Sequence, residues 1–283
     1  MPEAATKART SRLKKILVPL DSSADSLVAL QMAGHLAARL QASLEGLFVE
    51  DTNLLRAGEL SCCRIVHAAT ASVTSFDRAD MERELRLAAR SARAALERES
   101  IRYDLKWSFR VDRGDVAASI LATAPDVDLI VLGRAGHRPG RKSGSGSTAR
   151  HLTNTAPAVL VTGSRHREGP VACFHADTEA ADRALEVAVE LARRDGGELV
   201  VFSADIDKTR EKTGTTAADN GLSVDIRTLP DDSFQTLQSV LQKMPAELVV
   251  LPDNLAAVSE AGLDKIPGSL DMPVLIIRAR DGK

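Results

Sequence analysis

Short, wholly apolar runs alternate along this chain with longer stretches in which apolar residues return at helical spacing. The run Ile16-Leu17-Val18-Pro19-Leu20 reads as a buried strand, and Asp21-Ser22-Ser23 behind it offers side chains able to cap a helix. From Ala24 to Leu40 the apolar positions Leu27, Leu30, Ala33, Leu36, Ala37 and Leu40 trace one helical face, and Leu44–Val49 follows as a second strand. Together these form a βαβ unit. Further on, the pattern predicts a helix over Asp77–Glu99, a strand over Leu105–Val111, a short helix over Asp115–Ala124 and strands at Asp128–Leu132 and Pro157–Val161.

The same order returns at an ungapped offset of 155 residues: strand Val171–His175, helix Glu179–Arg194, strand Glu198–Ser203. Ala29-Leu30 falls on Ala184-Leu185, and Leu36-Ala37 on Leu191-Ala192. A strand at Ser223–Thr228, a helix at Asp232–Met244 and strands at Glu247–Leu251 and Pro273–Ile277 complete the second half. Duplication explains this best. Strands buried on both faces and separated by helices imply a doubly wound parallel sheet in each repeat, whose ligands lie beyond the C-terminal strand ends. The expected division is a disordered tail over 1–12, a first repeat over 13–166 and a second over 167–283. Between the repeat landmarks, Glu50–Ser75 fits neither period continuously, apart from a helical turn or two within Leu54–Leu60; it reads equally as a flap near the first site and as a surface insertion without a role.

Composition refines this picture in three places. With 44% hydrophobic, 27% charged and only 3% aromatic residues, the core is aliphatic and the chain globular. The net charge of -2 argues against nucleic-acid binding by the whole chain, yet residues 1–166 hold 24 Lys and Arg against 18 Asp and Glu, and the remainder 13 against 21. Anionic ligands therefore belong with the first half. No run of about 18 apolar residues exists to cross a membrane, no apolar signal core follows the basic opening, and three cysteines without a CxxC pair suit a reducing, cytoplasmic location. As zinc ligands Cys62, Cys63 and His67 match no common spacing, and a structural or incidental role is favoured for them.

The candidate chemistry lies behind the strand Leu129–Leu132. Gly133-Arg134-Ala135-Gly136 is followed by a basic polar run and then by Gly146-Ser147-Thr148, which opens a helix. Glycines allow close backbone approach to a phosphate, and free amides at a helix start attract an anion. The alternative is a Gly/Ser linker joining strand to helix. No Gly-Lys-Ser/Thr closes the run, so it is not a Walker loop.

In this spacing, Gly-x2-Gly-x9-Gly-Ser through Gly133, Gly136, Gly146 and Ser147, the sequence resembles the universal stress protein family. The first-strand signature Ile16–Ser23 and the closing strand Pro157–Val161 extend the resemblance over nearly the whole chain as two tandem repeats. The resemblance implies Rossmann-like folds, of the adenine nucleotide alpha hydrolase type, paired as an internal pseudo-dimer through Pro157–Val161 and Pro273–Ile277. A further homodimer and protein partners would be in keeping with the family.

It also implies an adenine nucleotide, ATP, ADP or AMP, with Mg2+ as an accompanying ion. Pro19 and Asp21 would lie at the adenosine end, Val49 at the adenine, Leu132 and Gly133 beside the ribose, and Gly136, Gly146, Ser147 and Thr148 at the phosphates. Each has a plainer reading: Val49 and Leu132 as core residues, Asp21 as a helix cap. Arg134, Arg138, Arg141 and Lys142 offer charge to phosphates, or are simply solvated.

The second repeat lacks the pattern. Pro19 becomes Phe174, Asp21 becomes Ala176, and Gly133 becomes Pro252, which has no backbone donor. Gly262 stands opposite Gly146 but precedes Leu263 and Asp264, and His175 reads as a polar residue near a vestigial pocket. Three functions compete: a stress-related protein that binds ATP or AMP in its first repeat as a ligand, a slow ATP-hydrolysing enzyme, and an interaction module without ligand. The enzymatic reading lacks a residue placed to orient water, Asp21 being at the wrong end of the nucleotide.

Overall fold

A computed structural model describes residues 13–57, 64–67, 72–75, 78–134, 156–163, 168–193, 197–217, 222–231, 233–244, 246–255, 266, 270 and 272–279. In chain order the first half contributes β1 (Lys15–Pro19), α1 (Ala24–Leu40), β2 (Ser43–Asp51), α2 (Thr52–Ala57), β3 (Arg64–His67), β4 (Ser72–Ser75), α3 (Arg78–Arg102), β5 (Trp107–Gly114), α4 (Val116–Thr123), β6 (Leu129–Leu132) and β7 (Ala158–Val161). The second contributes β8 (Val171–His175), α5 (Glu179–Ala192), β9 (Glu198–Ser203), α6 (Ile206–Ala217), β10 (Ser223–Thr228), α7 (Phe234–Lys243), β11 (Leu248–Pro252) and β12 (Val274–Ile277).

Ten strands join in one sheet, in the order β5-β2-β1-β6-β7-β12-β11-β8-β9-β10. Each half is internally parallel and has the same order, and the halves meet where β7 and β12 run antiparallel, Val161 opposite Val274 and Ala158 opposite Ile277. The expected doubly wound sheets are therefore present, joined edge to edge as an internal pseudo-dimer. The offset of 155 is also structural: Pro19 pairs with Leu47 as Phe174 pairs with Phe202, and Ser23 caps α1 as Thr178 caps α5.

Side-chain alternation along the strands feeds both faces. Ile16 and Val18 join one apolar cluster, which runs under α1, α3 and α5 through both halves, while Leu17 joins a second cluster beneath α4. On that opposite face the second half has its own core, where Phe174 stacks on Phe202 with ring centroids 5.0 Å apart. The seam is tightened at Gly163, where a Cβ would fall 2.8 Å from the Met272 backbone. It is also bridged by charge, since the buried Arg39 of α1 donates to Glu247 Oε1 at 2.8 Å.

Two stretches differ from the sequence reading. Within Glu50–Ser75 the expected helical turns are present as α2, whose Leu55 is buried, and the segment also holds an unexpected antiparallel pairing of β3 and β4. The second half also carries the twelve-residue α6, which no apolar periodicity announces.

Candidate functional site

In the first half, β1 and β6 lie side by side, Leu17 opposite Ile130, yet the chain leaves β1 towards β2 and β6 towards β7. That divergence opens a crevice at the C-terminal strand ends, where doubly wound sheets place their ligands. Pro19, Asp21, Leu132 and Gly133 all stand at this mouth, and Val49 stands one strand away, near the end of β2. Gly136, Gly146, Ser147 and Thr148, like Cys62 and Cys63, lie outside the described residues.

The β1–α1 turn is held in an unusual conformation. Ser22 has a φ of 62°, a left-handed geometry uncommon outside glycine, and its hydroxyl donates to the Ala88 carbonyl of α3 at 2.9 Å. Ser23, not Asp21, caps α1 by accepting from Ser26 N. Asp21 instead accepts from Ser23 N at 2.9 Å and remains exposed. Desolvation in the turn opposes its ionisation, but hydrogen bonds from Ser23 and Ser26 outweigh it and hold the carboxyl below the usual aspartate range. An ionised acceptor with solvent access is thereby fixed at the crevice.

Asp25, in the first turn of α1, completes the local field. Desolvation and the nearby Asp21 charge push its carboxyl up, and Arg134 pulls it partly back, so all three groups share one environment. Arg134 was legible as a basic loop residue; Asp25 was not singled out, and its only signal was its place four residues after Asp21.

Leu132 is a core residue, 7% exposed, and Val49 is half-buried against the same apolar cluster. Together with the half-buried Pro19 they supply an apolar wall of the kind a planar base requires. Gly133 has a packing role of its own, because a Cβ there would sit 2.5 Å from the Asp25 carbonyl oxygen. The Arg134 peptide N–H is taken by Thr162 Oγ1 at 3.3 Å.

An ionised acceptor beside an apolar wall is the chemistry that a ribose diol and a planar base would require. Among the described residues no three His, Cys, Asp or Glu side chains converge on a metal position.

At the corresponding strand ends of the second half, the described polar side chains pair with one another. His175 is buried, with Nδ1 2.9 Å from Thr209 Oγ1 and Nε2 3.0 Å from Asp182 Oδ1. Lys212 reaches Asp182 at 2.7 Å and Asp177 at 3.3 Å. Thr178 donates to Asn254 Oδ1 at 3.3 Å, and Arg278 closes on Asp253 at 3.0 Å. Pro252, in the place of Gly133, is buried inside β11.

Residues 53–163 match the model of the universal stress protein family. No curated protein matches the sequence. Among solved structures, a universal stress protein from Archaeoglobus fulgidus superposes with a TM-score of 0.68 at 18% identity, over 95% of this chain and 97% of that one. A functionally unknown protein from Pseudomonas aeruginosa superposes with a TM-score of 0.61 at 19% identity, over 95% and 94%. At these identities the likeness is one of fold, and it extends across both halves. Among the described residues no helix is long and apolar enough to cross a membrane.

Proposed function

With residues 53–163 matching the universal stress protein family and the whole chain sharing the fold of a solved universal stress protein, we propose that the first repeat, 13–166, binds an adenine nucleotide such as ATP or AMP as a signalling ligand in a cytoplasmic stress response. The observation that carries this reading is the crevice between β1 and β6, where the ionised Asp21 stands at the same mouth as Gly133 and the charges of Asp21 and Arg134 both act on Asp25. The nucleoside lies along Pro19, Asp21, Val49 and Leu132, and the phosphates run toward Gly136, Gly146, Ser147 and Thr148. A bound Mg2+ would supply charge neutralisation at the phosphates.

The second repeat, 167–283, is the degenerate partner that completes the sheet. Ala176 stands where the first repeat has Asp21, and the described polar groups around it already pair with one another. Binding rather than turnover is the reading for the first repeat, because Asp21, the ionised acid held at the crevice among the described residues, is at the adenosine end.

The test is the small-molecule content of the protein. Native purification followed by denaturation and mass spectrometry is expected to release one adenine nucleotide per chain, and Gly146→Asp to release none. Protein that neither carries a nucleotide nor shifts its melting temperature with added ATP would be an interaction module instead, and rapid ADP release abolished by Gly146→Asp would make it an enzyme.

A further inference from the structure

Helix α6 is unlike the other helices of the second half in what holds it down. Its sequence, IDKTREKTGTTA, has apolar residues only at its two ends, four threonines and a glycine. These are weak helix formers, and a helix polar on every side lacks the apolar stripe that normally fixes one to a sheet. Along 206–213 the only buried side chains are Thr209 and Thr213, one turn apart.

Thr213 donates back to the Thr209 carbonyl, and Thr209 meets a buried polar chain that replaces an apolar contact of the first half. At the offset of 155, His175 stands for Leu20, Ser203 for Phe48, Asp182 for Leu27 and Thr209 for Leu54. Leu20 and Phe48 are buried in the apolar cluster of the first half. In the second, the Thr209 hydroxyl donates to Ser203 Oγ at 2.8 Å and touches His175 Nδ1, and Ser203 Oγ accepts from Asp205 N at 3.1 Å. His175 Nε2 donates to Asp182, because an ionised carboxylate only accepts. Lys212 binds Asp182 and Asp177, and Lys208 binds Asp177 at 3.1 Å.

We infer that α6 is a releasable strap over the C-terminal strand ends of the second half, latched by His175. Along 206–213 no apolar side chain is fully buried, and the docking of this stretch rests on a chain of hydrogen bonds whose members can each be met by water. It opens locally while β8, β9 and α5 stay folded, and opening uncovers His175, Ser203 and the start of α5. This inference does not depend on nucleotide binding by the first half.

Hydrogen exchange read by mass spectrometry on the full chain tests it. In the unaltered protein, amides of 206–217 exchange well ahead of those of β8 and β9. In His175→Leu, which restores the first-half residue, and in Asp182→Asn, exchange of 206–217 accelerates by at least about tenfold, as expected for the loss of a charge-assisted hydrogen bond, while β8 and β9 are unchanged. Asp182→Asn, half-exposed, carries the test if His175→Leu does not fold. Exchange of 206–217 only in step with β8 and β9, or no acceleration in any folded variant, would overturn the inference.

Discussion

At the residue scale, the structure separates roles that sequence alone leaves joined. The Asp21-Ser22-Ser23 turn offers three capping side chains, and only geometry shows that Ser23 caps while Asp21 is left ionised at the crevice. Gly133 is similar: a glycine behind a strand suggests ligand approach, yet its missing side chain also admits the Asp25 backbone. Gly133→Ala must therefore shift α1 or the loop, at an expected cost of about 1–3 kcal/mol. Urea unfolding of the variant measures it, and unchanged stability would mean that α1 yields freely. Asp25 escaped the sequence reading because nothing in its neighbourhood marks it until the fold brings Asp21 and Arg134 alongside.

At the scale of elements, periodicity was enough wherever apolar residues faced the core. The span of α1 matches its apolar stripe, and the spans of β8, β9 and β10 agree with the runs that announce them. It failed for α6, whose inward positions are threonines, and for the four-residue strands of the β3–β4 hairpin, too short to show alternation. The same polarity makes α6 sensitive to pH. Desolvation raises the Asp182 carboxyl, but Lys212 and His175 more than compensate and hold it low, so its stabilisation is present above the ordinary aspartate range near 4 and is lost as pH falls through the depressed value. Lys212, raised chiefly by Asp182, contributes below the ordinary lysine range near 10.4 and loses its contribution as pH rises through the raised value. Exchange protection of 206–217 should accordingly hold between these limits and fall away outside them; protection rising below pH 4 would contradict the network.

At the scale of the whole molecule, the ten-stranded sheet follows from duplication, and its closing strands were identifiable from Pro157–Val161 and Pro273–Ile277. The ion pair across the seam was not, because Arg39 and Glu247 are 208 residues apart and each sits in an ordinary amphipathic or apolar context. Desolvation acts against the Glu247 carboxylate, but His35 and Arg39 hold it ionised. Glu247→Gln would leave the buried Arg39 without its full countercharge and is expected to cost about 2 kcal/mol. A chemical denaturation midpoint reports this, and no change would mean that the seam rests on β7, β12 and apolar packing alone.

The division of labour between the halves is tested most directly by isothermal titration calorimetry of the full chain with ATP and with AMP. One site per chain is expected for the nucleotide that binds, lost in Asp21→Ala and in Gly146→Asp and retained in Asp182→Asn. Two sites per chain, or binding untouched by the first two substitutions, would contradict the assignment of the ligand to the crevice between β1 and β6.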